Sequence, residues 1–239
     1  MLLSVIIPVY NEEKTVGKLI SLVLSEKTPK EIIIVDDGST DKTWEIIQKS
    51  KVKSQKFKSK FKIFKQPINM GKGAAIRKGI ENITGDVLII QDADLEYTPD
   101  DYQRLLKPIL NKKTKVVYGS RLKNLKFGLW GKQKTPLPLH YLVNRFLSWL
   151  TNLLYESHLT DMETCYKMMT KEVYKGLNLE SNRFEIEPEI TAKILKNGYE
   201  ILEIPIQTKP RRYQDGKKIK AKDAVKAVFT LVNYALTED

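Results

Sequence analysis

The sequence predicts a single α/β domain in which a mostly parallel sheet is flanked by helices. Over the first 120 residues, short apolar runs typical of buried strands alternate with segments whose apolar residues recur at helical spacing. Three of the runs end in polar clusters, as expected where the carboxyl ends of parallel strands form a binding edge. The 239 residues contain no internal repeat and no evident linker, so we expect one domain.

The apolar runs of the first half predict five strands, each short and bounded by turn or charged residues. In chain order they are SVIIPVY, EIIIVDD, FKIFKQ, DVLIIQ and KVVYGS. Runs of this length that are apolar on both faces are typical of parallel strands covered by helices on each side.

Polar residues after the strands predict where the helices begin. Asn11 is the expected cap of the first helix, and Ser39 or Thr40 that of the second. The glycine-rich segment NMGKGAAIRKGIENITG predicts the start of a third helix. Thr98 followed by Pro99 predicts another, because threonine at the cap and proline at the first helical position favour a helix start.

The second half has a different pattern. Residues 121–136 predict a basic loop, and residues 137–155 a helix that is apolar around most of its circumference. Such a helix packs in a core or dimer interface, or it contacts lipid. A turn, short strand and short helix are expected in LTDMETCYKMMTKEVYKGL, followed by the helix EIEPEITAKILKNG and the strand YEILEIPIQTK. A basic amphipathic helix is expected near the C-terminus.

Charge indicates the kind of partner. The formal net charge is +12, from 41 Lys and Arg residues against 29 Asp and Glu, which favours nucleic acid, a phosphorylated metabolite or a membrane surface. Nucleic acid is the remote alternative, because no aromatic-interleaved basic motif is present and acidic clusters would repel phosphate.

Cysteine usage and hydropathy indicate the compartment. Cys165 is the single cysteine, so no disulfide framework is expected and a reducing cytosol is the simplest location. The N-terminal MLLSVIIPVYNEE lacks the basic start of a signal peptide, and no apolar run reaches the roughly 18 residues of a membrane span. We therefore expect a cytoplasmic protein that works, if at a membrane, on its surface.

The acids in VLIIQDADLEYTP predict a metal site. In a turn just past a strand end, Asp92 and Asp94 can approach one ion. Mg²⁺ typically combines one or two carboxylates with substrate phosphates, and a cation offsets the repulsion between the acids. The alternative is that the acids cap a turn or the next helix, although Thr98 already serves as the cap of that helix.

The ordered motifs resemble those of a known enzyme family. SVIIPVYNEE, IIIVDDGSTD, NMGKGAAIRKG, LIIQDADLEYTPDDY and VVYGSRL are similar to the motifs of family 2 glycosyltransferases of GT-A fold. They look most like the branch of dolichyl-phosphate mannose and glucose synthases and polyprenyl-phosphate glycosyltransferases. LTDMETCYK, RFEIEPEITAKI and PRRYQDGKKI agree, so the resemblance covers nearly the whole chain.

This resemblance implies one Rossmann-like GT-A catalytic domain over residues 1–239. Residues 1–120 would bind the nucleotide sugar, and residues 121–239, with their amphipathic helices, would form an acceptor-side region. The nucleotide-sugar residues that it implies are Pro8, Tyr10, Asn11, Glu12, Asp37, Gly71, Lys72, Asp92 and Ala93. Asp37 would accept a hydrogen bond from the base, whereas the glycines at 71 and 73 equally suit a tight helix start.

The resemblance also implies the metal and acceptor residues. Asp92 and Asp94 match the D-x-D motif that holds Mg²⁺ or Mn²⁺, and Glu96 is a further candidate ligand. The candidates for binding an acceptor phosphate are Arg121, Arg211, Arg212 and either Lys217 or Lys218. Guanidinium groups suit phosphate oxygens independently of the resemblance.

Asp161 is the second catalytic candidate beside Asp94, because relatives carry an acid near the reacting centre at that position. It would act as a base toward an alcohol acceptor. Toward a phosphate, whose second pKa is near 6, it would position groups instead.

The implied reaction is metal-dependent, inverting transfer of a hexose from a UDP- or GDP-sugar. The implied acceptor is polyprenyl or dolichyl phosphate at the cytoplasmic face of a membrane, with a soluble or polysaccharide acceptor as the alternative.

Overall fold

The computed structural model describes residues 1–54, 60–125, 138–209, 211 and 221–237. The predicted acceptor residues Arg212, Lys217 and Lys218 lie outside these ranges, as does most of the predicted basic loop over 121–136.

In the described part of the chain, seven strands form one sheet, and the predicted α/β architecture is confirmed. In spatial order the strands are β3, β2, β1, β4, β6, β5 and β7. Strand β6 runs antiparallel to β4 and β5, and the other neighbours pair in parallel. The strands are β1 (Leu3–Val9), β2 (Lys30–Asp36), β3 (Lys60–Lys65), β4 (Val87–Ile90), β5 (Val116–Ser120), β6 (Lys167–Thr170) and β7 (Ile201–Pro205).

Helices occupy the positions that the periodicity predicts. They are α1 (Val16–Ser25), α2 (Thr43–Ser54), α3 (Lys72–Ile80), α4 (Tyr102–Leu110), α5 (Pro138–Tyr155), α6 (Lys171–Lys175), α7 (Ile186–Lys196) and α8 (Ala221–Leu236). A 3-10 turn over Pro99–Asp101 precedes α4, and the Thr98 hydroxyl accepts from the Asp100 amide as predicted.

The core lies on both faces of the sheet because β1, β2 and β4 are buried along their whole length. Successive side chains of a strand point to opposite faces. Ile32 and Ile34 of β2 accordingly join the main hydrophobic cluster, whereas Ile33 and Val35 pack with Ala75 of α3. Burial of each such side chain contributes roughly 1.5–3 kcal/mol, so helices are required on each side.

The predicted cap of α1 is wrong. The helix begins at Val16 after Thr15, and no side chain caps it. Asn11 instead adopts a left-handed backbone conformation with φ of 48°, and its Oδ1 accepts from the Thr40 amide at 2.9 Å. Asn11 thus joins two strand-end turns, a tertiary contact that local spacing does not reveal.

The predicted cap of α2 is wrong for the same reason. Asp41, rather than Ser39 or Thr40, accepts from the Thr43 amide at 3.0 Å where the helix begins. The Ser39 hydroxyl is already used, since it donates to Asp36 and accepts from the amide of Asn11.

The inner face of α5 carries polar as well as apolar side chains, and its outer face is largely apolar. Its buried residues include Ser148 and Thr151, whereas large apolar side chains face outward. Helices α5 and α8 pack on each other through a small cluster that contains Leu147 and Leu231. The inner face of α5 is therefore part of a core, as one of the two interpretations predicts, whereas its outer face is apolar and exposed, and contact of that face with lipid stays a prediction.

The exposed apolar residues form a stripe on each of the two helices. The α5 stripe consists of Leu139, Leu142, Phe146, Trp149 and Leu153, and the α8 stripe of Val225, Phe229 and Leu236. Among the described residues, no helix has the length and apolar character required to cross a bilayer.

Close backbone packing explains the glycines before and within α3. Gly71 has a φ of 106°, and a Cβ there would lie 2.3 Å from the Asn182 carbonyl oxygen. A Cβ on Gly73 would lie 2.3 Å from the carbonyl oxygen of Ser181. The tight helix start is therefore a sufficient explanation for both positions.

We expect Gly73→Ala to lower the free energy of unfolding by roughly 1–3 kcal/mol, the usual cost of overpacking. The loop at Ser181 would have to move to admit the methyl group. The matched control is Gly176→Ala, where the nearest atom would be 3.5 Å away and little change is expected. Urea denaturation measures both, and a Gly73→Ala protein as stable as the wild type would contradict this packing.

Candidate active site

The polar strand ends meet at one edge of the sheet, as predicted, and line a cavity of about 1010 Å³. Carboxylates and basic side chains from distant parts of the chain face it. The predicted site residues among those that line it are Pro8, Tyr10, Glu12, Asp37, Gly71, Lys72, Asp92, Ala93, Asp94, Glu96, Arg121 and Arg211. Asn11 and Asp161 are not among the lining residues.

The D-x-D segment forms a turn just past β4. Leu95 has a φ of 64°, and the Glu96 amide donates to Asp94 Oδ1 at 3.0 Å. Burial, together with the neighbouring Asp92 and Glu96 charges, raises the pKa of Asp94 to about 7. A cation beside Asp94 would relieve this desolvation and repulsion.

The predicted set of three ligands does not converge on one point. Among the described residues, no three His, Cys, Asp or Glu side chains are grouped as a metal site. Glu96 Oε1 accepts from the Arg211 amide at 3.0 Å, and Asp92 Oδ1 pairs with Lys72 at 2.8 Å. Asp92 and Asp94 alone still fit Mg²⁺ or Mn²⁺, because such ions commonly take one or two carboxylates and complete their shell with phosphate and water.

Lys72 stands in a chain of buried ion pairs. Its Nζ lies 2.8 Å from Asp92 and 2.9 Å from Glu187, and Glu187 also pairs with Lys167 at 2.6 Å. Burial lowers the pKa of Lys72, but the two carboxylates outweigh burial and hold that pKa well above its usual value. Burial likewise raises the pKa of Glu187, yet Lys167 and Lys72 bring it to about 2.

Asp37 organises the segment that leads into α3. Its carboxylate accepts hydrogen bonds of 2.8 Å from the Gln66 and Asn69 side-chain amides and from the Met70 and Gly71 backbone amides. All these donors belong to the protein, so the role of Asp37 toward a base stays a prediction.

Asp161 is held by Arg121 through a bidentate pair. The Nε and NH2 atoms of Arg121 each lie 2.7 Å from a carboxylate oxygen, and the Arg121 amide donates at 2.8 Å. Asp161 is fully buried, whereas the Arg121 side chain keeps about a fifth of its surface exposed. This arrangement favours the positioning role for Asp161 over the role of base.

Arg211, which lies in the segment after β7, binds the D-x-D turn. Its guanidinium donates to Glu12 at 3.2 and 2.7 Å, and its Nε donates to the Asp94 carbonyl at 2.9 Å. The Lys209 amide bonds to the carbonyl of Glu96 at 3.0 Å. Arg211, a predicted acceptor residue, therefore pairs directly with Glu12, a predicted nucleotide-sugar residue.

Several residues that line the cavity were not predicted from the sequence. Glu187 and Glu163 lie within the motifs RFEIEPEITAKI and LTDMETCYK, but the sequence does not predict a role for either. From α5 and α8 the cavity also receives residues that include His140, Asn144, Lys222 and Lys226. The sequence signal that could indicate a functional role for Glu187 is its position as an acid on an otherwise apolar side of α7.

The sheet is mostly parallel, and its carboxyl edge carries paired aspartates and basic side chains. This combination is typical of proteins that bind phosphorylated ligands. Residues 4–177 match the family described as Glycosyl transferase family 2. The chain belongs to this family, and the predicted enzyme class, glycosyltransferase, is confirmed.

Two curated relatives are similar along most of the chain. A dolichyl-phosphate beta-glucosyltransferase of Trichomonas vaginalis is 32% identical over 98% of this chain and 73% of that protein. A UDP-N-acetylglucosamine–dolichyl-phosphate N-acetylglucosaminyltransferase of Methanococcus voltae is 32% identical over 87% of this chain and 85% of that protein.

Solved structures share the fold. Glucosyl-3-phosphoglycerate synthase from Mycobacterium tuberculosis, in complex with Mn²⁺, UDP and phosphoglyceric acid, superposes with a TM-score of 0.72. The match covers 99% of this chain and 79% of that one at 18% identity, so it shows the fold alone. The predicted GT-A fold is confirmed.

Because Asp161 neutralises a largely buried arginine, we expect Asp161→Asn to destabilise the protein. Removal of one partner of a buried pair costs roughly 3–5 kcal/mol, and the partial exposure of Arg121 should place the loss toward or below the lower end.

The matched control is Glu81→Gln, which breaks the exposed Lys78–Glu81 pair and should change the free energy of unfolding by at most about 1 kcal/mol. Urea denaturation near neutral pH compares the two variants with the wild type. Equal stability of the Asp161→Asn and Glu81→Gln proteins would show that the Arg121 pair does not hold this edge together.

Proposed function

We propose that this glycosyltransferase transfers a hexose from a UDP- or GDP-sugar to a polyprenyl or dolichyl phosphate. The transfer would be a single displacement with inversion, and Asp92 and Asp94 would hold a Mg²⁺ or Mn²⁺ ion. Residues 1–120 would bind the donor and residues 121–239 the acceptor.

The observation that carries this proposal is the extent of the cavity. It is lined both by the D-x-D turn and by Leu139, Val143 and Leu147 of α5 and Ala224 and Ala227 of α8. The same two helices carry the exposed apolar stripes. One cavity thus joins a polar site suited to a diphosphate and an apolar surface suited to a lipid-linked acceptor.

The charged side chains that line the cavity fit a diphosphate and an acceptor phosphate. Arg121, Arg211, Lys222 and Lys226 line it, and guanidinium groups bind phosphate oxygens in a bidentate manner. A phosphate acceptor is mostly a dianion near neutral pH and needs no base to remove a proton. The engagement of Asp161 by Arg121 is consistent with such an acceptor, because Asp161 would fix the arginine rather than move a proton.

The relatives support the same substrate classes. The names of both curated relatives include dolichyl phosphate, and one names UDP-N-acetylglucosamine as well. Structures of the mycobacterial synthase contain UDP with Mn²⁺ or Mg²⁺. A bound divalent ion would stabilise the charge on the departing nucleoside diphosphate, and Lys72 and Arg211 would add positive charge beside it.

We propose that the enzyme lies on the cytoplasmic face of a membrane, with the α5 and α8 stripes against the lipid. The stripes offer aromatic and aliphatic side chains, including Phe146 and Trp149, whose rings stack with centroids 5.8 Å apart. The net charge of +12 would favour a surface that contains anionic lipids.

Transfer is tested with the wild type, Mn²⁺, polyprenyl phosphate and each of UDP-glucose, UDP-N-acetylglucosamine and GDP-mannose. We expect a lipid-linked sugar, detected by mass spectrometry, with at least one donor. Asp94→Ala should reduce transfer by roughly 10²-fold or more, since it removes a ligand of the charge-stabilising ion.

The control variant is Glu200→Ala, which changes an exposed carboxylate outside the cavity and should keep wild-type activity. An Asp94→Ala enzyme with nearly full activity in saturating metal would contradict the metal site. Transfer to soluble acceptors in place of the lipid would contradict the proposed acceptor.

Membrane contact is tested by co-sedimentation with vesicles that contain an anionic phospholipid. Trp149 and Phe229 are 57% and 71% exposed, and burial of such a side chain contributes roughly 1.5–3 kcal/mol. Trp149→Glu and Phe229→Glu should therefore each weaken vesicle binding by about 10-fold or more.

Leu110→Glu is the control, because Leu110 is 51% exposed on α4 and belongs to neither stripe. It should bind vesicles as the wild type does. If all three variants bind equally, or the wild type does not bind, the stripes are not a lipid-contacting surface.

A further inference from the structure

Glu163 lines the same cavity as the D-x-D turn although it is distant from it in sequence. The loop between α5 and β6 crosses the end of β4, where the Cys165 amide donates to the Tyr97 hydroxyl at 3.1 Å and the Cys165 thiol approaches the Ile90 carbonyl at 3.6 Å. Glu163, two residues earlier, lines the same cavity as Asp94 and Arg121.

Nothing in the described part of the protein satisfies this carboxyl group. Its Oε1 atom is buried and has no hydrogen-bond donor among the described residues. The basic side chains near Glu163 form ion pairs with other acids, since Arg121 pairs with Asp161 and Lys167 pairs with Glu187. The terminal torsion of a glutamate is broad, so a small rotation would present either oxygen to a ligand in the cavity.

The electrostatic surroundings of Glu163 are nearly balanced. Burial raises its pKa, Lys167 and Arg121 lower it, and Glu187 and Asp161 raise it, with a net value of about 7. A neutral hydrogen-bond donor from a ligand would satisfy such a group without adding charge, whereas an anionic phosphate would be repelled by its ionised form.

We propose that Glu163 accepts a hydrogen bond from a hydroxyl group of the donor sugar and thereby fixes the hexose beside the D-x-D turn. This inference rests on the proposed function. The transferred sugar would lie between the diphosphate at the D-x-D turn and the acceptor phosphate near Arg121. Glu163 lines the cavity that would hold both groups and lies within electrostatic range of Arg121. Sugar hydroxyls are hydrogen-bond donors, whereas ionised phosphate oxygens only accept.

The role differs from that of a general base. A base removes a proton from the acceptor, so its loss lowers kcat and leaves the affinity for the donor unchanged. A sugar-binding carboxylate contributes to donor affinity before any acceptor is present. Donor binding without acceptor therefore separates the two roles.

The experiment compares nucleoside diphosphate with nucleotide sugar by calorimetry in Mn²⁺. The probes are UDP with UDP-glucose and with UDP-N-acetylglucosamine, and GDP with GDP-mannose. In Glu163→Ala we expect an unchanged Kd for the diphosphate and a Kd for the matching nucleotide sugar raised roughly 10-fold or more, as for loss of a hydrogen bond to a charged group.

Glu163→Gln should lose less, because its amide oxygen still accepts a hydrogen bond in nearly the same shape. The exposed control Glu200→Ala should match the wild type for both ligands. A donor that lacks the recognised hydroxyl should bind the wild type and Glu163→Ala equally, which would identify the hydroxyl.

An unchanged ratio of the two Kd values in Glu163→Ala would overturn the assignment, including the case in which kcat alone falls. Equal weakening of diphosphate and nucleotide sugar would also overturn it. Failure of the wild type to bind any of the three donors would instead refute the proposed function, and this assignment with it. The measurement uses no acceptor, so its result does not depend on the lipid.

Discussion

The buried chain of charges from Asp92 through Lys72 and Glu187 to Lys167 is the interaction on which the active edge depends. It joins the end of β4 and α3 to β6 and α7, two parts of the chain that are distant in sequence. Desolvation penalises each charge, and only an opposite neighbour on each side offsets that penalty. The loss of one member would leave a buried charge unpaired, so the relative positions of these elements are tightly constrained.

The same constraint divides the acids of the cavity into two groups. Asp92, Glu187 and Asp161 have lysine or arginine partners, whereas Asp94 and Glu163 have no ion pair among the described residues. Burial is the largest cause that raises the pKa of both Asp94 and Glu163, and with their charged neighbours each pKa is about 7. Strongly shifted carboxyls in a cleft mark functional groups, and here their surroundings differ. Asp94 has acidic neighbours and therefore suits a cation. Glu163 has both basic and acidic neighbours and therefore suits an uncharged hydrogen-bond donor.

Local patterns were sufficient for the elements but not for the partners of polar side chains. Apolar runs that end in acids predicted β1, β2 and β4 and their common binding edge, because burial and strand direction act through short segments. Which acid is neutralised depends on contacts between distant segments. Asp161 and Glu163 are two positions apart in one motif, and only the position of Arg121 at the end of β5 decides that Asp161 is held and Glu163 is free to bind. The bonds of Asn11 and Ser39 across neighbouring turns escaped prediction for the same reason.

The distribution of polar and apolar residues on α5 links the proposed membrane contact to the loop that carries Asp161 and Glu163. Its inward polar side chains hold the loop that carries Asp161 and Glu163: Ser148 Oγ accepts from the Met162 amide at 3.0 Å, and Asn152 Oδ1 accepts from the Leu159 amide at 2.7 Å. Some polar groups of the helix are thus needed inside, while five of its large apolar residues face outward. An ordinary surface helix in water has the opposite arrangement, so the outer face calls for an apolar neighbour. If that neighbour is lipid, as we propose, the helix that rests on it also positions the residues around the transferred sugar, and a lipid phosphate would enter the cavity beside Arg121.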